Sequence, residues 1–202
     1  MPQVRNASKI CNGAMARGDL ALIAFGGNMP SEAGQPAKTI ACAAQKFRDF
    51  GLKFKALSAF YATPCFPIGA GPDYVNAAAV VASDLDAGEI LQALHHIEAE
   101  FGRARKQRWG QRTLDLDLIA LGDNILPDRA TQDQWRALPP DEQIHAIPDR
   151  LILPHPRLQD RGFVLVPLAD IAPAWIHPIL NRSITQLMDD LPDDAKIEIK
   201  RL

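Results

Sequence analysis

An α+β fold, an antiparallel sheet with helices laid against it, is what this sequence predicts. Three observations carry the prediction. Short apolar runs of strand length alternate with stretches whose apolar residues recur at helical spacing. They follow in the order strand, helix, strand, strand, helix, strand. Glycine and proline punctuate most of the passages between them.

The elements can be justified in turn. Leu20–Phe25 is a continuous apolar run, which predicts a buried strand, and Gly26-Gly27-Asn28 predicts a turn after it. Pro36 suits the first position of a helix whose buried face is Ile40, Ala43, Ala44 and Phe47, and Gly51 ends it. Phe54–Tyr61 predicts a second strand, 63–72 a proline- and glycine-rich loop, and Tyr74–Ala82 a third strand. Asp86 and Glu89 form a capping box for a helix that buries Ile90, Leu91, Leu94, Ile97 and Phe101 and stops at Gly102. After a run of cations, Thr113–Leu121 predicts the fourth strand. This β-α-β-β-α-β order is that of the ferredoxin-like motif, with both helices on one face of the sheet.

Residues 1–19 read as a flexible N-terminal extension and 20–202 as one domain. Within that domain 123–150, polar and rich in proline, reads as a surface insertion, and an apolar pattern resumes in a C-terminal extension.

The chain has 202 residues, 47% of them hydrophobic, with a net charge of −2. That suits a domain with a proper core and gives no overall field toward nucleic acid or membrane. Cys11, Cys42 and Cys65 are scattered, which argues against a disulfide framework or a zinc site and for a reducing, cytoplasmic setting. The first residues lack the apolar centre of a signal peptide, and Leu20–Phe25 is too short to span a bilayer.

The chemistry gathers at Arg112-Thr113-Leu114-Asp115-Leu116-Asp117-Leu118. Side chains alternate along a strand, so Leu114, Leu116 and Leu118 face the core while Asp115 and Asp117 project together from the other side, roughly 7 Å apart at Cα. Two such carboxylates suit a magnesium ion; a solvated sheet edge is the other reading. Arg103, Arg105, Lys106, Arg108 and Arg112 lie just upstream. Cations next to a carboxylate pair suit a metal-bound polyphosphate, which needs both. His155 could donate to a phosphate oxygen, or be structural. Tyr74 and Asn76 share a strand face and suit a flat heterocycle, though core packing would also explain Tyr74.

Arg108-Trp109-Gly110-Gln111-Arg112-Thr113-Leu114-Asp115-Leu116-Asp117 closely resembles the signature of the 6-hydroxymethyl-7,8-dihydropterin pyrophosphokinase family of folate synthesis. Further blocks match in order: Ala24–Asn28, Phe60–Pro64, Gly71–Ala77, Pro154-His155 and Arg161-Gly162-Phe163. The resemblance implies a ferredoxin-like α+β fold and transfer of pyrophosphate from ATP to the pterin hydroxymethyl, releasing AMP. It implies that Asp115 and Asp117 ligate two magnesium ions and that Arg103 and Arg112 hold phosphates during transfer. Glu98, Arg105, Trp109, His155 and Arg161 are the implied ATP contacts, with Trp109 closing the site. Tyr74 and Phe163 are the implied pterin sandwich, with Asn76 on the polar edge and Thr63 and Pro64 beside it.

The chain departs from the family pattern at Gly27, where serine is common, at Gln111, where proline is common, at Pro156, and in a slightly shorter cationic loop. These bear on loop closure and ATP affinity more than on the reaction. The implied partners are ATP and the pterin, without nucleic acid or membrane, and with a monomer as the simplest assembly. An RNA-binding module on the same type of sheet would need a basic, aromatic face, which two aspartates contradict. A nucleotidyltransferase would carry its glycine-rich turn shortly before the D-x-D pair, whereas Gly26-Gly27 stands far upstream. A glycosyltransferase would need a larger nucleotide-binding domain.

Overall fold

The structure, a computed structural model, describes residues 20–65, 71–102, 112–139, 142, 146 and 148–202. The described elements run β1 (Leu20–Gly27), α1 (Pro36–Lys46), β2 (Lys53–Leu57), β3 (Tyr61–Thr63), β4 (Tyr74–Ala82) and α2 (Ala87–Glu100). Then come β5 (Asp115–Leu121), α3 (Arg129–Ala137), α4 (Gly162–Ile171), α5 (Ile184–Asp189), α6 (Asp194–Ile197) and β6 (Lys200–Arg201). The sheet order is β5-β1-β4-β3-β6, with β2 also on β4, and every pairing is antiparallel. This is the ferredoxin-like arrangement, with β6 added at one edge. The extension at 1–19 and the site candidates Arg103, Arg105 and Trp109 lie outside the described residues.

One face of the sheet packs on α1 and α2. Ile23 and Phe25 of β1, Ala79 and Val81 of β4, and Leu116 and Leu118 of β5 meet Ile40, Phe47, Ile90, Leu94 and Ile97 there. The capping box of α2 is formed as its sequence requires: Asp86 accepts from Glu89 N and Glu89 accepts from Asp86 N, both at 2.8 Å. Gly51 takes φ +76° after a 3-10 turn at Phe47–Phe50, a conformation that glycine adopts without penalty.

The C-terminal segment covers part of the other face. Leu22, Ala24, Ala78, Val80, Ile119 and Ala120 pack against Leu158, Val164, Leu165, Leu168, Ile184 and Leu187. A bulge in β5 permits this. Leu118 pairs with Ile23 and Ala120 with Leu22, so Ile119 is an extra residue and the alternation shifts by one.

Three boundaries differ from the sequence prediction. β1 continues through Gly26 and Gly27, because both pair with β4 and a side chain at Gly27 would sit 2.7 Å from Thr113 O. The second predicted strand is two, β2 and β3, broken at 58–60. Leu57 pairs with Ala79 and Tyr61 with Asn76, which sets three residues against two. Ser58 Oγ accepts the N–H of Ala78 at 2.9 Å, and Asp170 on α4 accepts Ala59 N at 3.2 Å and Tyr61 Oη at 2.9 Å. β5 begins at Asp115 rather than Thr113, because the backbone of Arg112 turns to meet Asn28 and Met29.

The segment 123–150 contains α3, capped by Asp128, whose Oδ1 accepts Thr131 N at 2.8 Å. It is tied to the body: Leu126 bridges Leu153, and the wholly buried Gln132 donates to Pro154 O at 3.3 Å. Among the described residues no helix is long and apolar enough to cross a membrane.

Candidate active site

Among the described residues, α4 and α5 cover one end of this sheet face. Toward the other end, β5 presents Asp115 and Asp117, β1 presents Gly26, β4 presents Tyr74 and Asn76, and β3 presents Thr63. Pleat alternation puts these on the side away from Leu116 and Leu118, as the sequence pattern requires. Asp115, Gly26 and Asn76 pair in register across three strands, and Gly26 leaves the floor between them low. A Cβ on Gly26 would lie 3.4 Å from Asn76 Oδ1.

Each carboxylate has an arginine. Arg112 Nη1 bonds Asp115 Oδ2, and Arg161 Nη1 stands 3.6 Å from Asp117 Oδ2. The side chain of Asp115 is 16% exposed and that of Asp117 41%, so one is recessed and the other open. Burial pulls the Arg161 guanidinium down from its ordinary value, while Asp117 and Asp115 oppose that. Its guanidinium carbon lies 5.7 Å from the ring centre of Phe163, an exposed aromatic at the start of α4.

His155 is held beside this group by its own N–H, which donates to Ile119 O at 2.7 Å, the carbonyl of the bulge residue. Desolvation, with the charges of Arg161 and Arg157, pushes its pKa down to about 3. The ring is therefore neutral near pH 7. Its Nδ1 accepts Arg157 N at 3.1 Å, which leaves the proton on Nε2 as a donor.

Asn76 is 4% exposed, and its Nδ2 donates to Thr63 Oγ1 at 2.8 Å. Tyr74, opposite Thr63, has its phenol raised by burial, with Arg112 opposing and Cys65 and Asp115 adding to the rise. Pro64 follows Thr63 directly. An aromatic, an amide and a hydroxyl thus share a patch next to the carboxylate pair. Glu98 stands elsewhere: it is 1% exposed on α2, and its Oε1 accepts Leu116 N at 2.8 Å. It reaches β5 from the α2 side and holds the backbone between the two aspartates.

Sequence reasoning gave Asn28 no role. It is 3% exposed and joins three segments. Its Oδ1 accepts Arg112 N at 2.9 Å, its Nδ2 donates to Pro72 O at 3.2 Å, and its N–H donates to Arg112 O at 2.9 Å.

The topology defines a ferredoxin-like α+β protein, and one end of its sheet face gathers a carboxylate pair, two arginines, an amide and an aromatic. Residues 22–173 match the model of the 7,8-dihydro-6-hydroxymethylpterin-pyrophosphokinase (HPPK) family. The chain belongs to that family. It is 40% identical over 141 residues to the 2-amino-4-hydroxy-6-hydroxymethyldihydropteridine pyrophosphokinase of a Synechocystis species, covering 70% of this chain and 62% of that protein. It is 35% identical over 154 residues to the Pseudomonas aeruginosa protein of the same description, covering 75% of this chain and 79% of that one. A crystal structure of an HPPK-DHPS protein in complex with substrates superposes with a TM-score of 0.64 at 14% identity, over 91% of this chain and 46% of that one. Plasmodium falciparum HPPK-DHPS superposes with a TM-score of 0.59 at 16% identity, over 91% and 47%. The chain thus spans under two thirds of the Synechocystis relative and about half of either solved chain. The structural likeness supports the fold.

Proposed function

We propose that this chain transfers the pyrophosphoryl group of ATP to the hydroxymethyl group of 6-hydroxymethyl-7,8-dihydropterin, releasing AMP, in folate biosynthesis. One observation carries the reading: in a chain of this family, two carboxylates, each met by an arginine, share a sheet face with an amide–aromatic patch, Asp115 being in register with Asn76 across Gly26. Polyphosphate suits the first half of that floor and a flat polar heterocycle the second.

The donor set fits magnesium. Asp115 and Asp117 offer hard oxygens from same-face positions of one strand. Among the described residues no group of three or more His, Cys, Asp or Glu assembles, so phosphate oxygens and water would complete the coordination of the two ions we assign. Bound magnesium supplies charge neutralisation at the transferring phosphates.

The chain's own residues do the rest. Arg112 and Arg161, which face the carboxylates here, exchange them for phosphate oxygens, joined by Arg103 and Arg105 from the loop that Trp109 helps to close. His155 donates Nε2–H to a phosphate oxygen. Tyr74 and Phe163 stack on the pterin. Asn76 presents Oδ1 to its polar edge, while Thr63 fixes the amide's orientation and Pro64 borders the slot. Glu98, grouped by resemblance with the ATP contacts, supports the site through Leu116 N. Positioning and charge neutralisation carry the transfer to the β-phosphorus.

We assign this activity to residues 20–202 acting as one monomeric domain in the cytoplasm, with 123–150 as an insertion upon it. The scattered positions of Cys11, Cys42 and Cys65 in the sequence support a reducing compartment. The test is turnover with ATP, magnesium and the hydroxymethyl-dihydropterin, with the nucleotide product identified. AMP is expected; ADP, or no turnover, would overturn the reading.

A further inference from the structure

We propose that Asn28 is a positioning residue that locks the loop in front of Tyr74 to the backbone of Arg112, so that the heterocycle slot and a phosphate-facing arginine are held as one unit. The proposal rests on the pterin and ATP reading above and deepens it.

Asn28 follows the last residue of β1 and is 3% exposed. A buried amide must find partners for both ends of its side chain. Asn28 finds them in two segments far apart in sequence. Oδ1 takes the N–H of Arg112 at 2.9 Å, and Nδ2 gives to the carbonyl of Pro72 at 3.2 Å. Backbone bonds reinforce the first arm: Asn28 N and Met29 N both donate to Arg112 O, at 2.9 and 3.0 Å. Gly27 makes the approach possible, because a Cβ there would come 2.7 Å from Thr113 O.

The two clamped segments lead directly to the site. Pro72 stands two residues before Tyr74, and Arg112 carries the guanidinium that meets Asp115. Arg112 also closes the cationic stretch Arg103–Gln111 at its C-terminal end. Asn28 therefore fixes the backbone of Arg112, and the same side chain fixes the entry to the slot. Only an amide serves both arms. A carboxylate keeps the acceptor for Arg112 N but has no donor for Pro72 O.

Hydrogen exchange and kinetics on the full chain test this together. In Asn28→Ala, amide exchange should rise about tenfold in both 72–76 and 112–116, while 78–82 and 87–100 stay protected. In Asn28→Asp it should rise in 72–76 alone. The Asp variant should also raise the pterin KM about tenfold and leave the ATP KM within about twofold. Loosening of neither segment in the Ala variant, equal loosening of both in the Asp variant, or unchanged KM values with less folded protein would overturn the proposal. If the Ala variant does not fold, the Asp variant decides. If the wild-type chain does not turn over the pterin, the functional reading fails, and the exchange pattern alone decides the coupling.

Discussion

Asp115 and Asp117 share a strand face but differ in setting. Asp115 is recessed against Arg112, while Asp117 is open and more loosely met by Arg161. Replacing either by asparagine keeps the shape and removes the charge. Each change is expected to cut turnover about a hundredfold or more, comparable to losing a preorganised electrostatic partner. Urea denaturation should show a stability change within about 1 kcal/mol, because both ion pairs are partly exposed. Wild-type turnover in either variant would remove these carboxylates from the mechanism. The pair was legible in the sequence because strand alternation with leucines on the other side is a local pattern. Asn28 was not. Gly-Gly-Asn reads as a turn by composition, and the partners of the asparagine side chain, Pro72 and Arg112, stand 44 and 84 positions away.

The decisive element is α4. Arg161 stands at its N-cap and Phe163 one residue into the helix, with Gly162 between them. A Cβ on Gly162 would lie 2.7 Å from Ala195 O and 2.9 Å from Ile199 Cδ1, so the C-terminal segment presses on the start of this helix. Gly162→Ala is expected to lower stability by about 1–3 kcal/mol through overpacking, and to lower kcat/KM because both flanking residues shift. Unchanged stability and turnover would show that α4 has slack there. The helix was legible only as a resumed apolar pattern, since nothing local says which sheet face it covers. The split between β2 and β3 was hidden for a similar reason: Ala59 N is held by Asp170, 111 residues on.

Across the whole molecule, stability should depend on pH through a buried histidine. His177 is wholly buried, and burial, aided by the charge of Arg136, depresses its pKa to about 4. The unfolded chain has an ordinary histidine near 6.5. Between those values the unfolded state holds the proton and the native state does not. Its contribution is therefore complete above about pH 6.5 and declines as pH falls toward 4. Between pH 7.5 and pH 5 the loss from this group should be about 2 kcal/mol. Urea titrations of the wild type and His177→Asn at both values isolate it; equal losses in the two proteins would contradict the assignment. The ferredoxin-like core was readable from the order of apolar runs, because each run is local. The second packing layer was not, because it depends on a one-residue bulge at Ile119 that sends two neighbouring apolar residues to the same side.

Glu98 has a consequence beyond the site. β5 is the outermost strand at its end of the sheet, where backbone amides can recruit a strand from another molecule. At Leu116 that amide is already taken by a buried carboxylate from α2. The group that steadies the strand between the two aspartates also blunts an edge open to aggregation. Losing it would be felt in how the protein behaves at high concentration as well as in how it works.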